Sequence, residues 1–380
     1  MARLLLGPGP SPVTPRVMRA MTAPPLSHLD PDFVPVLDDV RARLERVFKA
    51  DGWFCPAISG TGTTAMEAAI ANFVTPGMRA TAVVNGYFGD RLAQMLARFG
   101  ARVDVIEGEW GRAIDPAEIE RAIAADFPDL LTIVHAETST GVRNPVDDVA
   151  PLLNARGIPF IVDCVTSLGA MPVSAHAWGA AAVFSCSQKG LGAPSGLGPI
   201  AFNPAFDRER LNPASACRSF ALDRALLESF WVGRKYHHTI SAPMIYALRE
   251  ALVEVEEETL PARWARHDAH HLALVAGLEA IGIGLLPPPS ERLSSLNAVA
   301  VPAGVDDAAV RRELLARHDI EIGGALGPLA GRIWRVGLMG AGATRSNVLA
   351  FLAAFEDALA NQGFALEKGA SVAAASSALA

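Results

Sequence analysis

Between Arg79 and Pro204 the chain repeats one pattern. A short run of aliphatic and β-branched residues is followed by a segment of about a dozen residues with apolar positions at helical spacing. The β-type runs are RATAVVNG (79–86), ARVDVIEG (101–108), DLLTIVHAE (129–137), IPFIVDCV (158–165), AAAVFSCSQ (180–188) and GPIAFNP (198–204). Between the earlier ones lie YFGDRLAQMLARFG (87–100), closed by Gly100, DPAEIERAIAA (115–125), opened by Asp115 and Pro116, and VDDVAPLLNARG (146–157). Strands joined by such segments run parallel, with helices covering the sheet. The pattern therefore predicts an α/β fold with a mainly parallel central sheet covered on both faces. Ligands of such sheets bind beyond the carboxyl ends of the strands. The residues that end the apolar runs are thus the first candidates for chemistry.

Outside this stretch the pattern changes. Residues 1–20 are rich in Pro and Gly and read as an extended N-terminal arm, and 32–49 as an amphipathic helix. The region around 245–280 is strongly helical. From about 259 to 380 the runs fit a smaller α+β unit, leaving 21–258 as the large domain. The last residues, about 366–380, are low in complexity and are expected to fray. With 380 residues, 51% of them hydrophobic, the chain can bury a large core, and roughly 150 residues per domain allow two or three units.

Composition removes several classes of function. The net charge of −7 gives no basic excess for nucleic acid. No apolar run approaches roughly 18 residues, so no membrane span is expected, and Leu4–Leu6 is too short for a signal core. Cys55, Cys164, Cys186 and Cys217 are scattered without a CxxC pair. This reads as a reduced, cytoplasmic chain with no disulfide framework and no zinc site.

Arginine supplies most of the basic residues, and only Lys49, Lys189, Lys235 and Lys368 are lysines. Lys189 lies in VFSCSQKGLGAPSGLGP (183–199), among small and apolar neighbours that offer no surface salt bridge. Asp163 closes IPFIVD, where a buried carboxylate is costly unless paired. Pyridoxal phosphate requires a lysine for its Schiff base and an acid opposite its pyridinium nitrogen. The two residues alone leave another reading open, with Asp163 as a helix cap and Lys189 as an ordinary loop lysine. SGTGTTAMEAAI (59–70) is a Gly/Thr-rich turn running into a helix, a setting that suits an anion. It lacks the GK[ST] ending of a P-loop, and such turns also serve simply as caps.

Seven segments in order resemble the fold-type I, class V aminotransferases, nearest to the alanine–glyoxylate and serine–glyoxylate (serine–pyruvate) members. They are GPGPSPVTPRVM, SGTGTTAMEAA, HAETSTGV, VDCVTSLGAMPV, SQKGLGAPSGL, KYHHTISAPMIYALREAL and RVGLMGAGATRSNV, and they span nearly the whole chain. The resemblance implies a pyridoxal 5′-phosphate enzyme that moves an amino group between a small amino acid, alanine or serine, and glyoxylate or pyruvate, with ping-pong kinetics. It implies Lys189 as the Schiff-base lysine and Asp163 as the partner of the pyridinium nitrogen. Thr138 would lie near the cofactor's phenolic oxygen and the substrate. Thr61, Gly62 and Thr63 would form the phosphate turn, with Gln188 nearby. Tyr236 and Thr239 would reach the phosphate from the other subunit of a homodimer, so that the site lies at the interface. Arg335 would clamp the substrate carboxylate. Two positions depart from the animal members: Phe88 stands where a tryptophan stacks on the cofactor ring, and Thr63 stands where a histidine lies in the turn.

Other readings remain beside this one. A ureidoglycine, phosphoserine or 2-aminoethylphosphonate transaminase would use the same motifs, and a non-catalytic subunit could share the fold. A cysteine desulfurase would need a mobile cysteine, and none follows Cys217. HDAHH (267–271) is expected to be a solvated helix face rather than a metal site. His237 and His238 are read as structural or near a dimer contact, Trp110, Trp178 and Cys186 as packing, and Arg143 and Arg218 as surface.

Overall fold

The computed structural model describes residues 3–206 and 217–380. A seven-stranded sheet runs in the order Ala57–Gly60, Gly196–Phe202, Ala182–Phe184, Phe160–Asp163, Leu130–Val134, Arg79–Val84 and Arg102–Glu107. Only Gly196–Phe202 opposes its neighbours; the other pairings are parallel. This is the sheet that the alternating pattern predicts. Leu130–Val134 and Phe160–Asp163 are buried throughout, which is why they read as unbroken apolar runs. Arg102–Glu107 is the outer strand and is mostly exposed, and its sequence alternates accordingly.

Register positions the site. Val134, Asp163 and Phe184 lie side by side across three parallel strands. The loops that follow them, at 135–139, 164–166 and 185–189, therefore open at one edge of the sheet. The helices Gly62–Phe73 and Tyr87–Arg98 start at this edge as well.

A second, antiparallel sheet joins Leu296–Ala300, Ile333–Gly337 and Gly323–Gly324. Its core, with Trp334, Phe351 and Phe355, is distinct from the core around the large sheet. Thr259, at φ +69°, separates the helices Ala242–Glu258 and Leu260–Ala280. The second of these sends Leu274 and Leu278 into the smaller core.

Three expectations are corrected. The N-terminal arm is not simply extended: Leu4–Leu5 adds in parallel to Ile320–Glu321, and Pro15–Ala20 is a helix capped by Thr14. Leu6 is buried in the smaller core and Val17 in the larger, so the arm ties the two together. The C-terminal tail does not fray, since Ala370–Ala378 is a helix. Its alanines favour helix, and its start is anchored on the buried Glu356, which accepts from the Gly369 and Ser371 amides at 2.6 and 2.8 Å. The third correction concerns the histidines. His267 and His271 are buried, not solvated. Helical spacing was read correctly, but the helix lies between two packed units and has no water on that face.

Candidate active site

The edge of the sheet encloses a cavity of about 270 Å³. Of the eleven candidate residues, nine line it: Lys189, Asp163, Thr61, Gly62, Thr63, Phe88, Thr138, Gln188 and Arg335. Tyr236 and Thr239 do not. Both are exposed.

Lys189 is nearly buried, and its Nζ donates to Thr166 Oγ1 at 2.9 Å. Among the described residues no carboxylate pairs with it directly. Burial holds its pKa below the ordinary lysine value, with the Arg335 charge acting in the same direction, while Cys186 and Asp163 oppose. The backbone of its loop is held by three hydrogen bonds from two residues. Ser11 Oγ donates to Lys189 O at 2.8 Å, Ser11 N to Gln188 O at 2.8 Å, and Arg263 Nη2 to Gly190 O at 2.8 Å. Gly9, at φ +110°, passes over the lysine stem; a Cβ there would lie 3.2 Å from Lys189 Cε. The left-handed conformation at this position favours a glycine, and a Cβ would press on the lysine stem.

Asp163 is buried at the end of its strand and accepts from Val165 N at 2.8 Å. Burial pushes its pKa up to about 7, helped by the neighbouring Glu137 charge, and the Val165 amide opposes. An acid held this way gains from a cation beside it, which would restore its charge. At the other end of the cavity, Thr61 caps the helix Gly62–Phe73. The first N–H groups of a helix have no intrahelical acceptor and carry the positive end of its dipole. A Cβ on Gly62 would approach Val165 Cγ2 to 2.9 Å, so only glycine keeps this turn close to the sheet. Gln188 Oε1 is buried without a hydrogen-bond partner.

Arg335 comes from the small sheet. It is buried, and its Nε donates to Gly324 O at 2.8 Å. Its guanidinium has no ion pair among the described residues, and burial lowers its pKa. Such a group is suited to a carboxylate, which it can bind through two N–H donors.

Sequence reading missed several residues here. Arg91 lines the cavity and donates to Thr63 Oγ1 at 3.2 Å; its spacing three residues after Phe88 was the available signal. Thr166 holds the lysine amine, and it lies within the quoted VDCVTSLG. Glu137 is fully buried, and its carboxylate accepts from the amides of Phe88, Gly89 and Ser139 at 3.0, 3.1 and 3.0 Å. It thereby fixes the start of the helix that carries Phe88. Burial raises its pKa, against these hydrogen bonds. Pro8, Gly9 and Leu326 reach the cavity only through the fold.

Comparisons with known proteins show the family to which this fold belongs. The family model described as "Aminotransferase class-V" matches residues 5–333. The chain is 34% identical to the (S)-ureidoglycine–glyoxylate transaminase of Bacillus subtilis, covering 98% of this chain and 94% of that one. It is 36% identical to the alanine–glyoxylate aminotransferase of Callithrix jacchus, covering 94% and 87%. Among solved structures, the alanine–glyoxylate aminotransferase of Nostoc sp. superposes with a TM-score of 0.92 at 42% identity, over 94% of this chain and 96% of that one. The chain belongs to the class V aminotransferases, a pyridoxal-phosphate-dependent family of fold type I.

Proposed function

We propose that this aminotransferase exchanges an amino group between alanine or serine and glyoxylate or pyruvate. The observation that carries the reading is the buried Arg335 guanidinium, without an ion pair among the described residues, which shares one cavity with Lys189 and Asp163. A substrate with a carboxylate next to its reacting carbon meets both ends of that arrangement.

The residues present fit pyridoxal phosphate on their own chemistry. Among the described residues there is one buried lysine without a carboxylate partner, one buried acid that calls for a cation, one helix start kept close by Gly62, and one orphaned amide oxygen on Gln188. Asp163 would hold a proton on the ring nitrogen, Lys189 would hold the aldehyde carbon, and the Thr61–Thr63 turn would hold the phosphate. When bound, the cofactor carries the amino group between the two substrates and takes up the electron pair released at Cα.

The chain's own residues do the rest. Arg335 fixes the substrate carboxylate and so orients the Cα–H bond. Lys189 Nζ removes the Cα proton in the first half-reaction and returns one to Cα of the new amino acid in the second. Its lowered pKa increases the fraction of free amine near neutral pH, as a base requires. Thr166 Oγ1 gives the ammonium form an acceptor when the proton is taken up. Phe88 supplies an apolar ring face, where Lys189 Nζ lies 5.7 Å from the ring centroid.

Tyr236 and Thr239 lie outside their own chain's cavity, and this supports a homodimer in which each subunit lends them to the other. Met18, Leu29, Phe220 and Val232 are exposed apolar residues of the kind such an interface covers.

The similarity to a ureidoglycine transaminase favours one second reading, with ureidoglycine as donor and glyoxylate as acceptor. A donor panel of alanine, serine and ureidoglycine against glyoxylate and pyruvate tests both. The first reading expects the highest kcat/KM for alanine or serine; a clear preference for ureidoglycine replaces it with the second.

A further inference from the structure

Arg91 is a cation with no charge partner at the phosphate end of the cavity. It lies on the helix Tyr87–Arg98, one turn after Phe88, and makes no ion pair among the described residues. Its Nη1 donates to Thr63 Oγ1 at 3.2 Å. Its guanidinium carbon lies 5.0 Å from the Phe88 ring centroid and 5.3 Å from that of Tyr87. The neighbouring acid, Asp90, is engaged with Gln94 at 2.6 Å. On its outer side Arg91 borders a smaller hollow of about 230 Å³ with Gln94, Met95 and Arg98, so it is not packed on every side. Among the residues that line the main cavity, three cationic side chains, Arg91, Lys189 and Arg335, stand against one carboxylate, Asp163, with the buried Glu137 behind it as a second acid. That imbalance calls for anions. A substrate carboxylate at Arg335 meets part of it. A phosphate carries roughly two negative charges and would meet the rest at the opposite end, where Thr63 and Arg91 meet.

We propose that Arg91 is a cofactor-phosphate ligand supplied by the same chain, a guanidinium that closes over the phosphate seated on the Thr61–Thr63 turn. The inference rests on the reading that this turn holds the phosphate. It gives the chain a cationic phosphate contact beside Thr63. Arg91 then serves two neighbours, because the same side chain backs the Phe88 ring.

The test compares two ligands on the full-length apoprotein. Pyridoxal 5′-phosphate and pyridoxal differ only in the phosphate, and each is titrated by absorbance and protein fluorescence. The losses of a charge-assisted hydrogen bond predict that Arg91→Gln weakens pyridoxal phosphate about 10- to 100-fold. Pyridoxal binding should be unchanged, and Arg91→Lys should fall between, since it keeps the charge and loses the fork. The phosphorus-31 resonance of bound cofactor should move in Arg91→Gln. Equal weakening of both ligands would overturn the proposal and leave Arg91 as a brace for Phe88. Unchanged binding of both, with an unmoved resonance, would overturn it too. A wild-type chain that prefers neither ligand would instead remove the underlying phosphate reading. The thermal midpoint of each apoprotein separates these outcomes from a folding defect.

Discussion

Lys189 and Arg335 are two buried cations of one cavity, and the protein holds them in opposite ways. Lys189 sits in a loop whose backbone is tied down by Ser11 and Arg263, yet its amine touches a single hydroxyl. Arg335 sits in mid-strand, with Ala298 opposite on one side and Gly323 on the other, and its own head group is anchored through Nε. The lysine has a rigid base and a free tip; the arginine is rigid to the start of its guanidinium. A group that must change partners and protonation needs the first arrangement. A group that must only orient a carboxylate needs the second.

The largest effect comes from removing the free tip. Lys189→Ala should abolish the near-visible absorbance of lysine-bound cofactor and lower turnover by at least about 10⁴-fold, the upper range for general acid–base catalysis. Lys189→Arg should fare no better despite keeping a charge, because arginine stays protonated and forms no such bond. Retention of absorbance and turnover in both variants would falsify the division of roles. Arg335→Gln should act differently. It should cost the amino acid a paired carboxylate, about 2–5 kcal/mol, or roughly 30- to several-thousandfold in kcat/KM. Cofactor binding should stay near wild type. A fall in cofactor affinity of the same size would show that Arg335 shapes the whole cavity rather than one end of it.

The rigid base can be attacked from a distance. Arg263 is buried, and it donates to Gly169 O at 3.1 Å, to Gly190 O at 2.8 Å and to Glu258 at 2.7 Å. Arg263→Met would leave two buried carbonyls without that donor and Glu258 with Arg266 alone. A loss of about 1–3 kcal/mol for each buried carbonyl left without its donor is expected. The measurement is the thermal midpoint, together with cofactor retention on dialysis. If the midpoint falls while cofactor retention and KM hold, Arg263 supports the fold without positioning the lysine loop.

The sequence carried the lysine side of this comparison more openly than its supports. Strand periodicity predicted where Asp163 and Lys189 fall, because parallel register lines up strand ends whatever the loops do. Lys189 stood out by residue type alone. Arg335 was not legible by periodicity, since WRVG is one strand among several, and its candidacy came from resemblance. Ser11, Arg263 and Gly9 were silent for a different reason. Their partners are backbone atoms 94 to 178 positions away in the case of Arg263 on Gly169 and Ser11 on Lys189, and no local pattern encodes such a contact. The tail was misread because small residues look the same in a frayed end and in a close-packed helix. His267 was misread because helical spacing does not tell which face meets water.

His267 offers the smallest effect and the finest test of the lysine side. Its Nδ1–H donates to Arg263 O at 2.7 Å, and its Nε2 accepts from Gly340 N at 3.1 Å. A Cβ on Gly340 would lie 3.2 Å from Lys189 O, so this contact reaches the lysine loop. Both ring nitrogens are committed to the neutral form, and burial pushes the pKa down to about 3. The unfolded chain takes up a proton below its ordinary value near 6.5, and the folded chain does not. The stability contribution is therefore full above about pH 6.5 and is lost as pH falls toward 3, by about 1.4 kcal/mol per unit. His135, buried and pushed down to about 4, adds a slope of the same sign. His267→Gln keeps a donor and an acceptor but cannot titrate. It should be less stable than wild type at pH 8 by about 1 kcal/mol for imperfect hydrogen bonds. The gap should close or reverse by pH 5. Thermal midpoints of both proteins across that range give the answer: parallel curves would mean that His267 titrates alike in the folded and unfolded chains or that acid opens the fold elsewhere first. Converging curves, with cofactor loss from wild type following the same pH range, would place the acid-sensitive joint at the lysine loop and leave the strand that carries Arg335 untouched.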